Sequence, residues 1–367
     1  MKQGKTLTDL AAELERQHTT KRDFITDTRE LELVPRLSLK EGEASTAKPE
    51  TLRLVKGGET LDFTPTKHTH RQIGSFLNIP AKYYDRMQAE ASALLANNVN
   101  YWLRENPSER MLRTLDGKAR AFLSNRYRRL DHFELLHAVM PVLSELKDDS
   151  GKGLEMLSCD VTETKLYLKC VFPRIEAEVK KGDPVQSGIV ISNSEIGQGA
   201  LTVTPLVYRL VCLNGMVAPD YGQRKYHVGR TNTGDEKTYE LFTDETLEAD
   251  DKAFWLKTRD IVRAAATHTT FERIVTVLQR STEEQVEQPV KAVEELSNVL
   301  SFNQTETESI LKHFMQDSDF SRWGLANAVT RTAEDIADYD RASELEEAGW
   351  KTLTLGTSDW QQVARAV

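Results

Sequence analysis

Seven cations crowd into one short stretch of an otherwise acidic chain. Between residues 109 and 131, ERMLRTLDGKARAFLSNRYRRLD, the basic residues Arg110, Arg113, Lys118, Arg120, Arg126, Arg128 and Arg129 face only Glu109, Asp116 and Asp131. Guanidinium and ammonium groups contact phosphates and aromatic faces stack on unpaired bases. With Phe122 and Tyr127 interleaved, the stretch therefore has the chemistry of a nucleic-acid surface. Arg209 and Arg224 would extend such a track. A second reading stands beside the first, in which Met111, Leu112, Leu115, Ala121, Phe122 and Leu123 are core positions and the arginines solvate the surface or pair with acidic residues elsewhere.

Other chemistries have weaker signals. Glu163-Thr164-Lys165, with Asp148, Asp149 or Asp160 upstream, has the outline by which some nucleases hold a divalent metal and activate water. A Glu-x-Lys triplet is expected by chance in a chain with 29% charged residues, and this one falls at a hairpin turn. His68 and His70 would chelate a metal only if further ligands converged, and no cysteine or second histidine cluster has suitable spacing. Cys159, Cys170 and Cys212 lie in apolar alternation and read as small buried hydrophobes rather than nucleophiles. The phosphate-loop pattern GxxxxGK[ST] is absent, and Gly197-Gln198-Gly199 lacks the remaining glycine and the strand-helix setting of a dinucleotide loop. No catalytic residue, metal or cofactor is expected.

Composition narrows the classes further. At 367 residues with 39% hydrophobic content the chain can bury more than one core, and a formal charge of -9 argues against a basic surface over the whole molecule. Three cysteines are too few for a disulfide framework, and the opening MKQGKTLTDLAAELERQ lacks the apolar centre of a signal peptide. No run approaches the roughly 20 apolar residues that cross a bilayer. No membrane partner is expected, and the cytoplasm, with reduced thiols, is the expected location.

The elements that must position these residues follow from periodicity. Leu7, Leu10, Ala11 and Leu14 mark a short helix over 5–17, followed by a polar segment to Glu50 in which 37–50 reads as a linker. Residues 52–63 offer a hairpin about Lys56-Gly57-Gly58. Ile73 to Met87 predicts two short helices broken at Asn78 to Pro80, which in a helix-turn-helix would set Ala81, Lys82 and Arg86 in a major groove, although any αα-hairpin gives the same pattern. After a helix over 132–147, strands at 154–161 and 165–172 join a long hairpin at 188–216, GIVISNSEIGQGALTVTPLVYRLVCLNGM, that ends in an Asn-Gly turn. Pro205 in its second strand is expected at an edge or bulge. Ser192, Ser194, Thr202 and Thr204 read as a solvent face, with Arg209 pairing Glu195 across the hairpin. Ser194, Glu195, Arg209 and Asn214 are candidates for shaping a binding surface there.

Residues 219–240 read as a polar loop carrying Arg224, Lys225 and Arg230. Eight acidic residues and two lysines between Asp235 and Lys252 mark a solvated connection. Helical spacing holds from Ala253 onward, with helices at 289–301, 305–316 and 325–348, the last capped at Gly349. The fold class is α+β: an antiparallel sheet with a long hairpin flanked by helices, plus a mainly helical C-terminal region. Three units are expected, with 1–50 an N-terminal helix and linker, 51–240 the α+β core and 241–367 helical.

Four blocks in order, HRQIGSFLNIPAKYYDRM, RAFLSNRYRRLD, SNSEIGQGALTVTPLVYRLVCLNGM and WGLANAVTRTAEDIADYDRASELEEAG, resemble the phage- and plasmid-associated DUF932 family from about Lys67 to Thr352. The resemblance implies a mobile-element context and assigns no catalytic residues. The leading expectation is a non-enzymatic protein that binds or anneals single-stranded DNA, organised like the oligomeric recombination mediators that hold DNA in a basic groove, with a homo-oligomer as the expected assembly. The alternatives are an interaction module whose acidic helices bind a basic host protein, and a metal-dependent nuclease.

Overall fold

The computed structural model of this protein describes residues 1–36, 50–146, 153–225, 244–265 and 268–365. Its first half is built on helix α1 (Leu7–Thr20), strands β1 (Arg22–Asp27), β2 (Leu31–Val34), β3 (Thr51–Lys56) and β4 (Glu59–Pro65), helices α2 (Lys67–Phe76), α3 (Ala81–Glu90) and α4 (Ser92–Glu105), then β5 (Glu109–Leu115) and β6 (Lys118–Ser124). The strands form one sheet in the order β1-β5-β6-β4-β3-β2, antiparallel except where β4 runs parallel to β6. Gly57 and Gly58 both take positive φ at the β3–β4 turn, and Asp116 and Gly117 do so at the β5–β6 turn, the backbone that a tight two-residue hairpin requires. Helices α2, α3 and α4 cover this sheet, where Ile73, Tyr84, Met87, Leu95 and Val99 meet Leu31, Leu52, Leu54, Leu112 and Phe122.

The second half opens with α5 (His132–Glu145) and a second sheet of β7 (Glu155–Val161), β8 (Leu166–Lys180), β9 (Asp183–Asn193), β10 (Leu201–Arg209), β11 (Asn214–Val217) and β12 (Gln223–Lys225). Its order is β11-β10-β9-β8-β7, with β12 also pairing β10, and every pairing is antiparallel. Then come α6 (Asp244–Ala265), α7 (His268–Ser281), α8 (Pro289–Leu300), α9 (Gln304–Asp317), α10 (Arg322–Thr332), α11 (Tyr339–Leu353) and α12 (Thr357–Ala364). Leu10 and Leu14 of α1, Val139 and Leu143 of α5 and Val262 of α6 pack on Leu168, Ile189, Ile191 and Val203 of the sheet. On the opposite face Tyr167, Val171, Val190 and Leu206 meet Tyr339 of α11. A sheet covered on both sides explains why β8 is buried continuously from Leu166 to Phe172 rather than at alternate residues.

The expected α+β class, with an antiparallel sheet, a long hairpin and a mainly helical C-terminal region, is the class observed. Several details differ. The first fifty residues contribute β1 and β2 to the first sheet as well as a helix. Asn214 and Gly215 do not form a turn: they lie in β11, and the chain reverses at Leu210 to Leu213, with Leu213 at φ 55°. Pro205 is not on an edge strand, since β10 is flanked on both sides. It faces the gap between the β11 and β12 pairings, where its missing N–H costs nothing, and its carbonyl accepts from Ala218 N at 3.0 Å.

The helix expected over 325–348 is two helices, α10 and α11, that break between Ala333 and Asp338. Gly349 is not a cap. It sits inside α11, and a Cβ there would lie 2.2 Å from Thr330 Cγ2, so the glycine lets α10 and α11 approach closely. The segment 37–49 of the expected linker, Asp148, Asp149 and Arg230 lie outside the described residues.

Candidate functional site

Residues 109–124, the core of the basic stretch, form the β5–β6 hairpin, and the hairpin sends its cations in different directions. Arg113 is fully buried. Its Nε donates to Asp23 Oδ1 of β1 at 2.9 Å, Nη2 to Asp131 Oδ1 at 2.8 Å, and Nη1 to the Glu195 carbonyl at 2.9 Å. Burial opposes its charge, but the carboxylates of Asp131, Asp23 and Glu195 outweigh that and raise its pKa above the ordinary guanidinium value. Arg120, also buried, donates from Nη2 to Glu195 Oε2.

Glu195 is the centre of this junction. It lies at the tip of the β9–β10 hairpin, in a loop where Ser194 Oγ accepts from Ile196 N at 3.4 Å and from Gln198 N at 3.2 Å. Its second oxygen accepts from His132 N, at the start of α5, at 2.7 Å. Burial alone would raise the Glu195 pKa, yet the surrounding cationic groups hold its carboxyl far below the usual range. Lys21 reaches Asp131 from the other side, and Asn193 Nδ2 donates to Leu130 O at 2.8 Å. The loop is also fixed at Ile196, whose carbonyl accepts from Gln72 Nε2 and pairs with His68 Nε2, both at 2.8 Å. Gly197, at φ 77°, closes the tip where a Cβ would come within 2.8 Å of Leu123. The hairpin tip of the second sheet is thus locked into the first sheet by buried charge.

The remaining candidates divide by exposure. Arg128 donates from Nε to Asp251 Oδ1 at 2.9 Å and lies over the Phe254 ring, which ties the stretch to α6. Arg110 is half-buried over Phe76 and Phe122, and burial lowers its pKa. Tyr127 OH donates to Ser194 O at 3.2 Å. Lys118 is exposed and meets Glu163 at 2.7 Å. Arg126 is half-buried, and Arg129 is exposed with Nε 3.9 Å from Asp23.

Arg209 does not pair with Glu195. It grips Asp183 through Nε at 2.6 Å and Nη2 at 2.9 Å, and Asp183 also accepts from Trp323 Nε1 at 2.9 Å. The register explains this: Arg209 lies opposite Val185 at the open end of the hairpin, whereas Glu195 lies beyond Ser192, which is itself about 23 Å from Val185 along the strand at ~3.3 Å per residue. Asn214 is buried and donates to Asn327 Oδ1 at 3.2 Å, joining β11 to α10. Arg224 lies in β12, opposite Thr202. Thr202 Oγ1 and Ser192 Oγ hydrogen-bond each other at 2.8 Å, while Ser194 is buried rather than on a solvent face.

The other motifs also separate. His68 and His70 lie on α2, with His68 turned to Ile196 and His70 Nδ1 to Tyr84 OH at 2.9 Å, so the two rings do not converge. Glu163 engages Lys118, and Asp160 engages Lys5. Among the described residues no three His, Cys, Asp or Glu side chains converge in a set that could hold a metal ion. Cys159 and Cys170 are buried, and burial pushes the Cys159 thiol up to about 11. On α3, Lys82 and Arg86 point to solvent, and Arg86 meets Glu90 at 3.0 Å.

A groove runs around the start of α2. Three cavities of about 240, 480 and 700 Å³ adjoin there: the first two share Thr66 and Glu163, and the last two share Lys67 and Arg71. In the smallest, Arg16 is held by Glu13 and Asp116, and Lys118 by Glu163. The other two differ. Among the described residues Lys67 and Arg36 have no carboxylate within ion-pair distance, Arg71 approaches Asp85 only at 3.8 Å, and the first turn of α2 carries no acidic residue. On the floor of the largest cavity, buried Glu50 accepts from Ser92 Oγ at 2.7 Å and Gln88 Nε2 at 3.0 Å and faces His70 Nε2 at 3.5 Å.

Residues 121–348 match the family described as a domain of unknown function, DUF932. The chain belongs to that family. The matched span takes in the Glu195 hairpin, Asp131, which accepts from Arg113, and the helices through α10 and most of α11, and it begins after Arg113 and Arg120. No curated protein and no solved structure matches the chain. No helix among the described residues is long and apolar enough to cross a membrane.

Asp23, His132 and Glu195 complete the junction with Asp131, and nothing in local spacing joins these three to the basic stretch. One signal pointed toward it. Asp116-Gly117 between two half-apolar runs is a strong hairpin mark, and a hairpin with arginines on an inward face needs carboxylates opposite.

Proposed function

We propose that this DUF932 protein is a non-enzymatic nucleic-acid-associated protein that holds single-stranded DNA in the groove around the start of α2. The carrying observation is the run of adjoining cavities in which, among the described residues, Lys67 and Arg36 have no carboxylate within ion-pair distance and Arg71 is only loosely held. Phosphates would sit where the helix N-terminus adds its partial positive charge to these side chains. The arginines of the β5–β6 hairpin then serve the fold behind the groove, and Arg126 and Arg129 offer a second outward-facing contact.

Binding of labelled single-stranded and duplex DNA across a salt series tests the reading. Lys67→Ala with Arg71→Ala is expected to weaken single-strand binding on every sequence and to flatten the slope of log K against log salt by about 1.4, two contacts at ~0.7 each. Absence of binding at low salt sinks the proposal. If Arg126→Ala with Arg129→Ala weakens binding while the Lys67 and Arg71 pair does not, the contact surface is the corner after β6 instead. DNA cutting that requires Mg²⁺ would favour a nuclease.

A further inference from the structure

Helices α8 and α9 form an antiparallel-type hairpin, joined through Ser301 in the left-handed conformation, with an open cavity of about 550 Å³ between them. The groove mixes apolar and polar side chains. Val293 and a Ser297–Thr307 hydroxyl bond of 2.9 Å form its floor, Phe302 closes one end, and Val290 on one wall is 49% exposed. Leu311 lines the opposite wall half-exposed. An apolar residue left that exposed at i−3 from a core valine continues the helix's buried stripe outward, and no described element of the chain covers it.

The charge along the rim is of one sign. Glu294 on α8 and Glu308 on α9 line the groove, both exposed, and neither has a cation within ion-pair distance among the described residues. Among the described residues Glu308 accepts only from its neighbour Gln304 Nε2, at 3.1 Å. No lysine or arginine lines the cavity. A helical hairpin with apolar side chains along its trough and carboxylates on its rims matches a helix that presents apolar anchors at i, i+3 or i+4 with lysine or arginine beside them.

We infer that the α8–α9 groove docks a basic amphipathic helix of a partner protein, a surface separate from the groove at α2. The occupant is recognised by apolar side chains seated on Val290, Val293 and Leu311 and by its cations against Glu294 and Glu308. It does not depend on DNA binding, so the failure of either proposal leaves the other standing.

Fluorescence anisotropy with a synthetic amphipathic helix of leucine and lysine tests this on the full chain. Val290→Asn, a change at an exposed position that should leave the fold intact, is expected to weaken binding about tenfold, the loss of one apolar anchor. Glu294→Lys with Glu308→Lys is expected to weaken it more than tenfold. Glu15→Lys with Glu59→Lys makes the same change in net charge elsewhere on the surface and is expected to shift the affinity less than twofold. The inference is overturned if the peptide does not bind at low salt, if Val290→Asn has no effect, or if the Glu15 and Glu59 pair weakens binding equally. Equal binding of a leucine–glutamate peptide also overturns it, as does sedimentation showing the groove already filled by a second copy, with dimers that Glu294→Lys and Glu308→Lys dissociate.

Discussion

Arg113 Nη1 donates to the main-chain carbonyl of Glu195 at 2.9 Å, across 82 positions of sequence, so an arginine of the first sheet is bonded to the hairpin tip of the second. The Glu195 carboxylate adds a second bond of the same direction by accepting from Arg120. One residue of the hairpin therefore answers two arginines through different groups. Two cations of the most basic stretch, Arg113 and Arg120, are thus spent on joining two sheets.

Removing the carboxylate should expose that dependence. Glu195→Ala leaves buried guanidinium without its partner and is expected to cost about 3–5 kcal/mol. Glu163→Ala, which breaks an exposed pair with Lys118, is expected to cost under about 0.5 kcal/mol. Urea unfolding of the two variants side by side checks the contrast, and equal costs would mean the junction adds nothing to folding.

The same junction sets a pH dependence. Burial lowers the His132 pKa from its ordinary value of 6.5, and Asn193 Nδ2, 3.1 Å from Nδ1, suits a neutral ring. Burial works against the charges of Asp131 and Glu195, but the facing cations hold both carboxyls below their ordinary values. All three pKa values are lower folded than unfolded, so the unfolded chain takes up protons first as the pH falls. The His132 contribution is complete above about pH 6.5 and fades below it, and the carboxylate contribution is complete above about pH 4 to 5 and fades below that. Unfolding midpoints from pH 8 to 3 should fall in two stages, and His132→Gln should shrink the first stage alone.

Lys169 and Glu346, both fully buried, meet at 2.6 Å between β8 and α11, and among the described residues Glu346 Oε1 has no hydrogen-bond partner. Glu346→Leu leaves the buried lysine without its carboxylate and is expected to cost about 3–5 kcal/mol. Lys169→Met with Glu346→Leu should recover most of that loss or exceed wild type, because desolvating two charges is itself unfavourable. A double-mutant cycle by denaturant unfolding measures both. A double variant no more stable than the single would show that the pair contributes net stability.

Gly349→Ala tests the contact of α10 with α11. Helix propensity alone would favour alanine by about 1 kcal/mol. The Cβ would meet Thr330 Cγ2 at 2.2 Å, so a net loss of about 1–3 kcal/mol is expected. Thr330→Ser removes that methyl and keeps the hydroxyl that bonds Asn214, so the double variant should regain stability.

Periodicity and turn residues by themselves determined much of this protein. The α+β class, the β3–β4 hairpin, the break between α2 and α3, the β7–β8 pair, the long hairpin and the C-terminal helices all follow from local spacing of apolar residues and from Gly, Asn and Pro at turns, because those preferences act within a few residues. The family blocks were legible for the same reason. The fates of individual charges were not. Arg113 and Lys169 occupy positions that alternation alone would leave polar, and they are buried because Glu195 and Glu346 arrive from 82 and 177 residues away. Lys67 stays exposed for the converse reason: among the described residues no carboxylate comes within ion-pair distance of it. Only the tertiary structure could decide which cations are enclosed and which are left for a ligand, since desolvation and Coulomb attraction depend on what packs across the gap and not on what lies beside a residue in sequence.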